Sequence, residues 1–227
     1  MMKIKKKILV VVAHSDDDIL GCGATIAKHR YAGDLVRIIF MTNGVSARSK
    51  SNMAIRRRKT ATKNACKKID VDDFKIFDFP DNRMDSVDLL EVIKSIEAEV
   101  RQFSPEIIYT HHRSDLNVDH RIVHQAVITA VRPLPDQCVN EIRAFEVLSS
   151  TEWSFNSTSV FTPNLFVDIT DFIEIKIDAF ETYSDEIRTF PHPRSIKSIK
   201  ALAITRGAQI GFKYAEAFDL IWKKCEL

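Results

Sequence analysis

The densest concentration of chemistry in this chain is His14-Ser15-Asp16-Asp17-Asp18, one imidazole and three carboxylates within five residues. Like charge packed into one turn is costly unless a cation or a helix N-terminus offsets it. His and Asp are both good Zn²⁺ ligands, and three protein ligands with one open position make a hydrolytic zinc centre. The third ligand has to come from elsewhere. A second polar cluster begins at Thr110-His111-His112 and runs through Asp115, Asn117 and Asp119 to His120, and His120, at the head of a helix, is a candidate. The competing reading is that the aspartates cap the helix, since Asp is favoured at N-caps and in first turns. Capping accounts for one carboxylate and leaves the others, and the second cluster, unexplained. His124, one turn beyond His120, fits a site residue and a hydrogen-bonded structural histidine equally well.

These clusters need elements that bring them together. Ile8 to Val12 is a continuous, β-branched-rich run, the pattern of a parallel strand covered on both faces. A helix follows to about Tyr31, then a strand from Leu35 to Met41. The alternation continues with a helix over 52 to 68, a strand from Phe74 to Phe77, a helix from Ser86 to Arg101, a strand from Ile107 to Thr110 and a helix over 120 to 131, terminated by Pro133 and Pro135. Weaker strands are expected from Arg143 to Leu148 and from Leu165 to Ile169. A long helix from Asp171 to Thr189 is expected to break at Pro191-His192-Pro193, a second to reach Arg206, and Phe218 to Trp222 to close a sheet edge. The whole pattern predicts a three-layer α/β/α sandwich with a Rossmann-like, mostly parallel sheet, a single domain over 1–227. In such folds ligands collect beyond the carboxyl ends of the strands, at the sheet's switch point, and both polar clusters follow strands.

The 227 residues are 45% hydrophobic, which supplies a core and excludes disorder. Lys and Arg total 33 against 31 Asp and Glu, a balance that argues against a nucleic-acid coat. Residues 1 to 60 nevertheless hold 13 basic and 4 acidic side chains, a polarity best read as solvated surface. Four dispersed cysteines form no C-x-x-C pair, so a thiol redox motif and a zinc ribbon are both excluded, and reduced thiols in a cytoplasmic protein are expected. The basic opening resembles an export signal, but its apolar run ends after six residues; neither export nor a membrane span is predicted.

Gly21-Cys22-Gly23 is only a short G-x-G behind an acidic turn that would repel pyrophosphate, and close helix packing explains it better. Arg56-Arg57-Arg58-Lys59 reads as solvated surface more readily than as a phosphate site, and His29 as exposed.

Ala13-His14-Ser15-Asp16-Asp17-Asp18-Ile19-Leu20-Gly21-Cys22-Gly23 resembles the Ala-His-Pro-Asp-Asp-Glu-x-x-x-Gly-x-Gly signature of the zinc-dependent deacetylases related to N-acetylglucosaminyl-phosphatidylinositol de-N-acetylase, the LmbE-like or PIG-L family, which includes the N-deacetylases of mycothiol and bacillithiol synthesis. Ser15 replaces the usual proline and Asp18 the usual glutamate. The resemblance continues through Thr42-Asn43-Gly44, Arg58, Phe79-Pro80-Asp81-Asn82-Arg83, Asp115 to Arg121, Arg206-Gly207 and Ala215-Glu216-Ala217-Phe218.

The resemblance implies that His14, Asp17 and His120 bind one zinc per chain and that Asp16 is the general base. Arg58 and Asp81 would line the substrate pocket, and Asp119 would orient a site histidine. The family's His-Pro-Asp-His motif reads Asn117-Val118-Asp119-His120 here; Asn117 has no proton to donate at imidazole strength, though its amide could orient substrate. The general acid is therefore open among His192, His111, His112 and Asp16, with His192 favoured because related sequences of this form carry the same Pro-His-Pro-Arg-Ser stretch. The implied activity is removal of an N-acetyl group from an acetamido sugar, such as an N-acetylglucosamine conjugate. The alternatives are hydrolysis of another acyl-amide, or a catalytically impaired sugar-binding protein. The resemblance also allows homo-oligomers.

Overall fold

Ile8 to Val12 is apolar at every position because both of its faces are covered. In a computed structural model, which describes residues 5–45, 47, 51–155 and 159–225, this segment is strand β1 (Lys7–Val12) at the middle of a seven-stranded sheet. Ile8, Val10 and Val12 enter one hydrophobic layer; Leu9, Val11 and Ala13 enter the other. The period-two alternation of a strand divides a uniform sequence between two cores.

Beside β1 lie β2 (Leu35–Thr42) and β4 (Ile107–His111), both parallel to it; β3 (Phe74–Phe79) continues from β2 and β5 (Glu141–Phe145) from β4. Helices α1 (Asp17–Tyr31), α2 (Asn52–Lys68), α5 (Ile173–Glu181) and α6 (Ile196–Ala208) pack on the Val10 face, and α3 (Leu89–Phe103) and α4 (Val118–Ala130) on the Val11 face. This is the expected three-layer α/β/α sandwich. The chain winds outward from β1 to β3, then returns to start again at β4, so the switch point falls between β1 and β4.

Two expectations are corrected. The C-terminal strand is not an edge: β7 (Ala215–Lys223) runs antiparallel between β5 and β6 (Leu165–Asp168), and β6 takes the edge. The long helix stops at Glu181 instead of Thr189. Beyond it the chain turns so that Tyr183 and Glu186 are buried, and the ion pairs of Glu186 outweigh continued helix.

Helix α1 is broken at Cys22, where φ and ψ are −146° and 20°. The break follows Gly21, which lies so close to β5 that a Cβ there would sit 2.2 Å from the Phe145 ring. A buried ion pair serves both sides of the gap: Lys176 Nζ donates to Leu20 O at 2.8 Å, and Glu216 accepts Ala24 N at 3.1 Å and Thr25 N at 2.7 Å. Lys176 and Glu216 are 2.6 Å apart. The carbonyl and amides that a broken helix leaves unbonded are thereby satisfied. Among the described residues no helix is long and apolar enough to cross a membrane.

Candidate metal centre

β1 ends at Val12, and the chain enters α1 through Asp16, whose φ of 117° lies where few non-glycine residues sit. Asp16 occupies the N-cap position without a side-chain capping bond. The neighbouring carboxylates instead fold back on the turn: Asp17 Oδ2 accepts His14 N at 2.9 Å, and Asp18 Oδ1 accepts Asp16 N at 3.3 Å. Asp18 Oδ2 has no hydrogen-bond partner among the described residues, and burial pushes this carboxyl up to about 7.

Across the switch point, α4 begins under an Asn117 cap and presents His120 to the same space. His14 Nδ1, Asp17 Oδ2 and His120 Nε2 form a triangle with every edge 3.2 Å. Ligand atoms about 2.0 Å from a tetrahedral ion stand about 3.3 Å apart, so this N₂O set fits a zinc-type ion with its fourth position open. Asp17 Oδ1, buried, has no hydrogen-bond partner among the described residues.

Both imidazoles are backed by carboxylates. His14 Nε2 lies 3.1 Å from Asp119 Oδ2 and 3.3 Å from Asp81 Oδ1, and His120 Nδ1 lies 3.1 Å from Asp115 Oδ1. A proton on the outer nitrogen of each ring leaves the inner nitrogen's lone pair for a metal. His14, Asp81 and Asp119 also make a group of metal-binding type. The first set suits an ion better, because both oxygens of Asp119 already accept backbone amides, from Asn82 at 2.7 Å and Met84 at 3.0 Å, whereas Asp17 accepts a backbone amide on Oδ2 alone. Asp115 is likewise held, by Ser150 Oγ, by Thr151 Oγ1 at 2.7 Å and by Asn117 N at 2.8 Å.

The electrostatics call for positive charge. Burial pulls the His14 imidazole down, but Asp119, Asp17 and Asp81 more than offset it and hold it well above its ordinary 6.5. Burial likewise opposes protonation of His120, yet Asp17 and Asp115 bring it to about 9. Burial acts to raise Asp17, and His120 and His14 overcome it, leaving the carboxyl well below the usual range. Protons on these rings supply the charge that a dication would supply.

A cavity of about 100 Å³ opens beside the triangle. Asp16, Arg58, Asp81 and Asn117 line it with His14 and His120, and so does Arg194. Asp16 Oδ1 accepts Arg58 Nη2 at 2.8 Å and Oδ2 accepts Arg194 Nη1 at 3.2 Å; both arginines also reach Glu186, each at 2.9 Å. Burial raises the Asp16 carboxyl, only partly offset by Arg58 and Arg194. Arg58 also donates to Ser15 O, so the side chain read as part of a solvated stripe is buried behind the turn. Asn117 accepts Asp119 N at 2.8 Å and donates to Asn82 Oδ1 at 3.0 Å.

His192 does not line this cavity. Its Nδ1 accepts Arg194 N at 3.0 Å, and its ring meets Trp153 edge-on with centroids 5.8 Å apart. His111 is stacked behind His120, centroids 3.9 Å apart, with Nε2 accepting Ala13 N at 2.9 Å. His112 turns away to Ser114 Oγ at 2.8 Å. His124 bonds the His111 carbonyl at 2.8 Å, a structural histidine, and His29, expected to be exposed, is half-buried between Asp34 and Tyr109. Sequence reasoning missed Arg194 and Glu186. Arg194 stands within the Pro-His-Pro-Arg-Ser stretch, whereas Glu186 carries no local signal.

The chain matches the family model described as PIG-L, GlcNAc-PI de-N-acetylase, over residues 9–131. It is 32% identical over 136 residues to the uncharacterized deacetylase YaiS of Escherichia coli (strain K12), covering 58% of this chain and 71% of that protein. It is 28% identical over 236 residues to diacetylchitobiose deacetylase of Thermococcus kodakarensis, covering 95% and 83%. Among solved structures, GalB, the 4-carboxy-2-hydroxymuconate hydratase of Pseudomonas putida KT2440, superposes with a TM-score of 0.78 at 21% identity, covering 98% of both chains. A hydratase on the same scaffold means that the fold alone does not fix the reaction, which has to be argued from the site.

Proposed function

This chain belongs to the PIG-L family, and from that premise we propose that it is a zinc-dependent hydrolase that removes the N-acetyl group of an acetamido sugar or sugar conjugate. The observation that carries the reading is the His14–Asp17–His120 triangle opening into one small cavity with Asp16 on its wall.

In this reading His14, Asp17 and His120 hold one zinc per chain. When bound, zinc would lower the pKa of a coordinated water toward about 7 and polarise the acyl oxygen. Asp16 takes a proton from the attacking water as the new carbon–oxygen bond forms, and burial, which raises this carboxyl, strengthens it as a base. The carbon–nitrogen bond then breaks, and the same proton goes from Asp16 to the departing amine, leaving acetate and a free amino sugar. The donor role expected of His192 passes to Asp16 because His192 stands off the cavity wall. Asp119 and Asp115 orient the two imidazoles, while Arg58, Asp81 and Asn117 are the polar groups proposed to face the sugar. The same proposal makes 1–227 one deacetylase domain of a cytoplasmic protein; the four free cysteines support that location.

Incubation of zinc-loaded protein with N-acetylglucosamine and N,N′-diacetylchitobiose tests it. Acetate and free amine should appear in equal amounts. Absence of both, from a protein that carries zinc, contradicts the sugar assignment.

A further inference from the structure

Besides the polarisation that bound zinc would supply, the charge that develops on the acyl oxygen can be met by a hydrogen-bond donor from the chain, and no imidazole outside the triangle lines the cavity. Asn117 has both ends of its amide engaged, His192 packs on Trp153, and His111 lies behind His120. Among the described lining residues the only cations beyond the two histidines are Arg58 and Arg194.

The two are not equivalent. Arg58 has 6% of its side chain exposed, and both terminal nitrogens are committed to Ser15 O, Asp16 and Glu186. Arg194 keeps 20% of its side chain open. Its Nε donates to Ser149 Oγ at 2.7 Å and its Nη1 to Asp16 and Glu186, which leaves Nη2 without a hydrogen-bond partner among the described residues.

We propose that Arg194 is a further catalytic residue, whose guanidinium stabilises the negative charge developing on the acyl oxygen; the proposal rests on the hydrolase reading above. Arg194 lines the same cavity of about 100 Å³ as His14 and His120, so on this proposal an acyl group at the triangle lies within reach of its guanidinium. Once Asp16 accepts the water's proton, Arg194 faces one carboxylate charge fewer, at the moment the π electron pair moves onto the acyl oxygen. A guanidinium keeps its own protons, so Arg194 acts by charge and hydrogen bonding, and Asp16 alone carries the proton to the amine. Glu186 positions Arg194 without touching substrate.

The test compares Arg194→Gln, Arg194→Ala and Arg194→Lys with the wild type on N,N′-diacetylchitobiose. Removing one oxyanion donor costs about 10²–10³ in kcat, so R194Q should lose about that much with KM changed little. Zinc content should stay near wild type, while the melting temperature should fall because the buried Asp16 and Glu186 lose a partner, so kcat is read per folded, zinc-loaded protein. R194K, which keeps the charge and the pairing that folding uses, should retain at least about a tenth of the activity, and added guanidinium should partly restore R194A. Wild-type kcat in R194Q, a loss confined to KM, an equal loss in R194K, or no rescue of R194A would each overturn the proposal. The wild type separates the two claims: if it releases no acetate from this sugar the acetamido-sugar reading fails, whereas an active wild type matched by R194Q removes only Arg194.

Discussion

Asp16 combines a backbone that a non-glycine residue rarely adopts with a buried carboxylate between two arginines. Strain of this kind persists only where the surroundings over-determine it, and it gathers at sites where direction matters. Because, among the described residues, Asp16 belongs to no group of metal-binding type while its neighbour Asp17 does, the proposed base and the proposed ligand can be separated by mutation. Asp16→Asn keeps the shape and tolerates positive φ. It is expected to retain zinc while kcat falls by about 10² or more, checked by metal analysis beside turnover. Full turnover in zinc-loaded D16N would remove the base role. At this scale the density of His and Asp in two loops points to a metal site with His120 as a candidate ligand, whereas the choice of Asp17 among three aspartates is what the resemblance to the PIG-L family implies; the fold brings ligand atoms of His14, Asp17 and His120 within 4.8 Å of one another. The capping reading fails on geometry, because Asp16 makes no side-chain cap and its neighbours turn back toward the turn. What stayed hidden was which face each side chain offers: Arg58 in a basic run and His192 between prolines look alike in sequence, yet only Arg58 enters the cavity.

Among the elements, α1 depends on partners distant in sequence. Gly21 makes the close approach of helix to sheet that the sequence predicts, against Phe145, whereas Gly23 faces Ile19 of its own helix. The break at Cys22 and the Lys176–Glu216 pair that serves it have no counterpart in periodicity, since Lys176 lies on α5 and Glu216 on β7. Both side chains are at most 6% exposed, so removing one leaves a buried charge. Lys176→Met is expected to cost about 3–5 kcal/mol, lowering the melting temperature by about 10 °C, and Glu216→Gln in the same chain should recover part of the loss. A K176M protein that melts with the wild type would show that the pair does not hold the break. The overextended helix and the misplaced edge strand have one cause: burial of Glu186, and of β7 between two neighbours, is a tertiary outcome that local propensity does not carry.

At the scale of the whole molecule, the reversal of strand order between β1 and β4 makes one site from loops about a hundred residues apart. Alternating strands and helices were sufficient to predict that convergence. The far wall was not predictable, because Ser149 and Arg194, with Glu186 behind Arg194, arrive from loops with no shared motif. His14 and His120, the Asp16 carboxylate and the Arg194 guanidinium line one small cavity, so on the proposed reading catalysis should follow occupancy of the His14–Asp17–His120 triangle. The most direct test is to titrate zinc into metal-free protein while following acetate release from N,N′-diacetylchitobiose. The rate is predicted to climb from near zero and reach its maximum at one zinc per chain, with no such rise in His120→Ala. A rate independent of zinc, or one that needs a second equivalent to appear, would contradict the account.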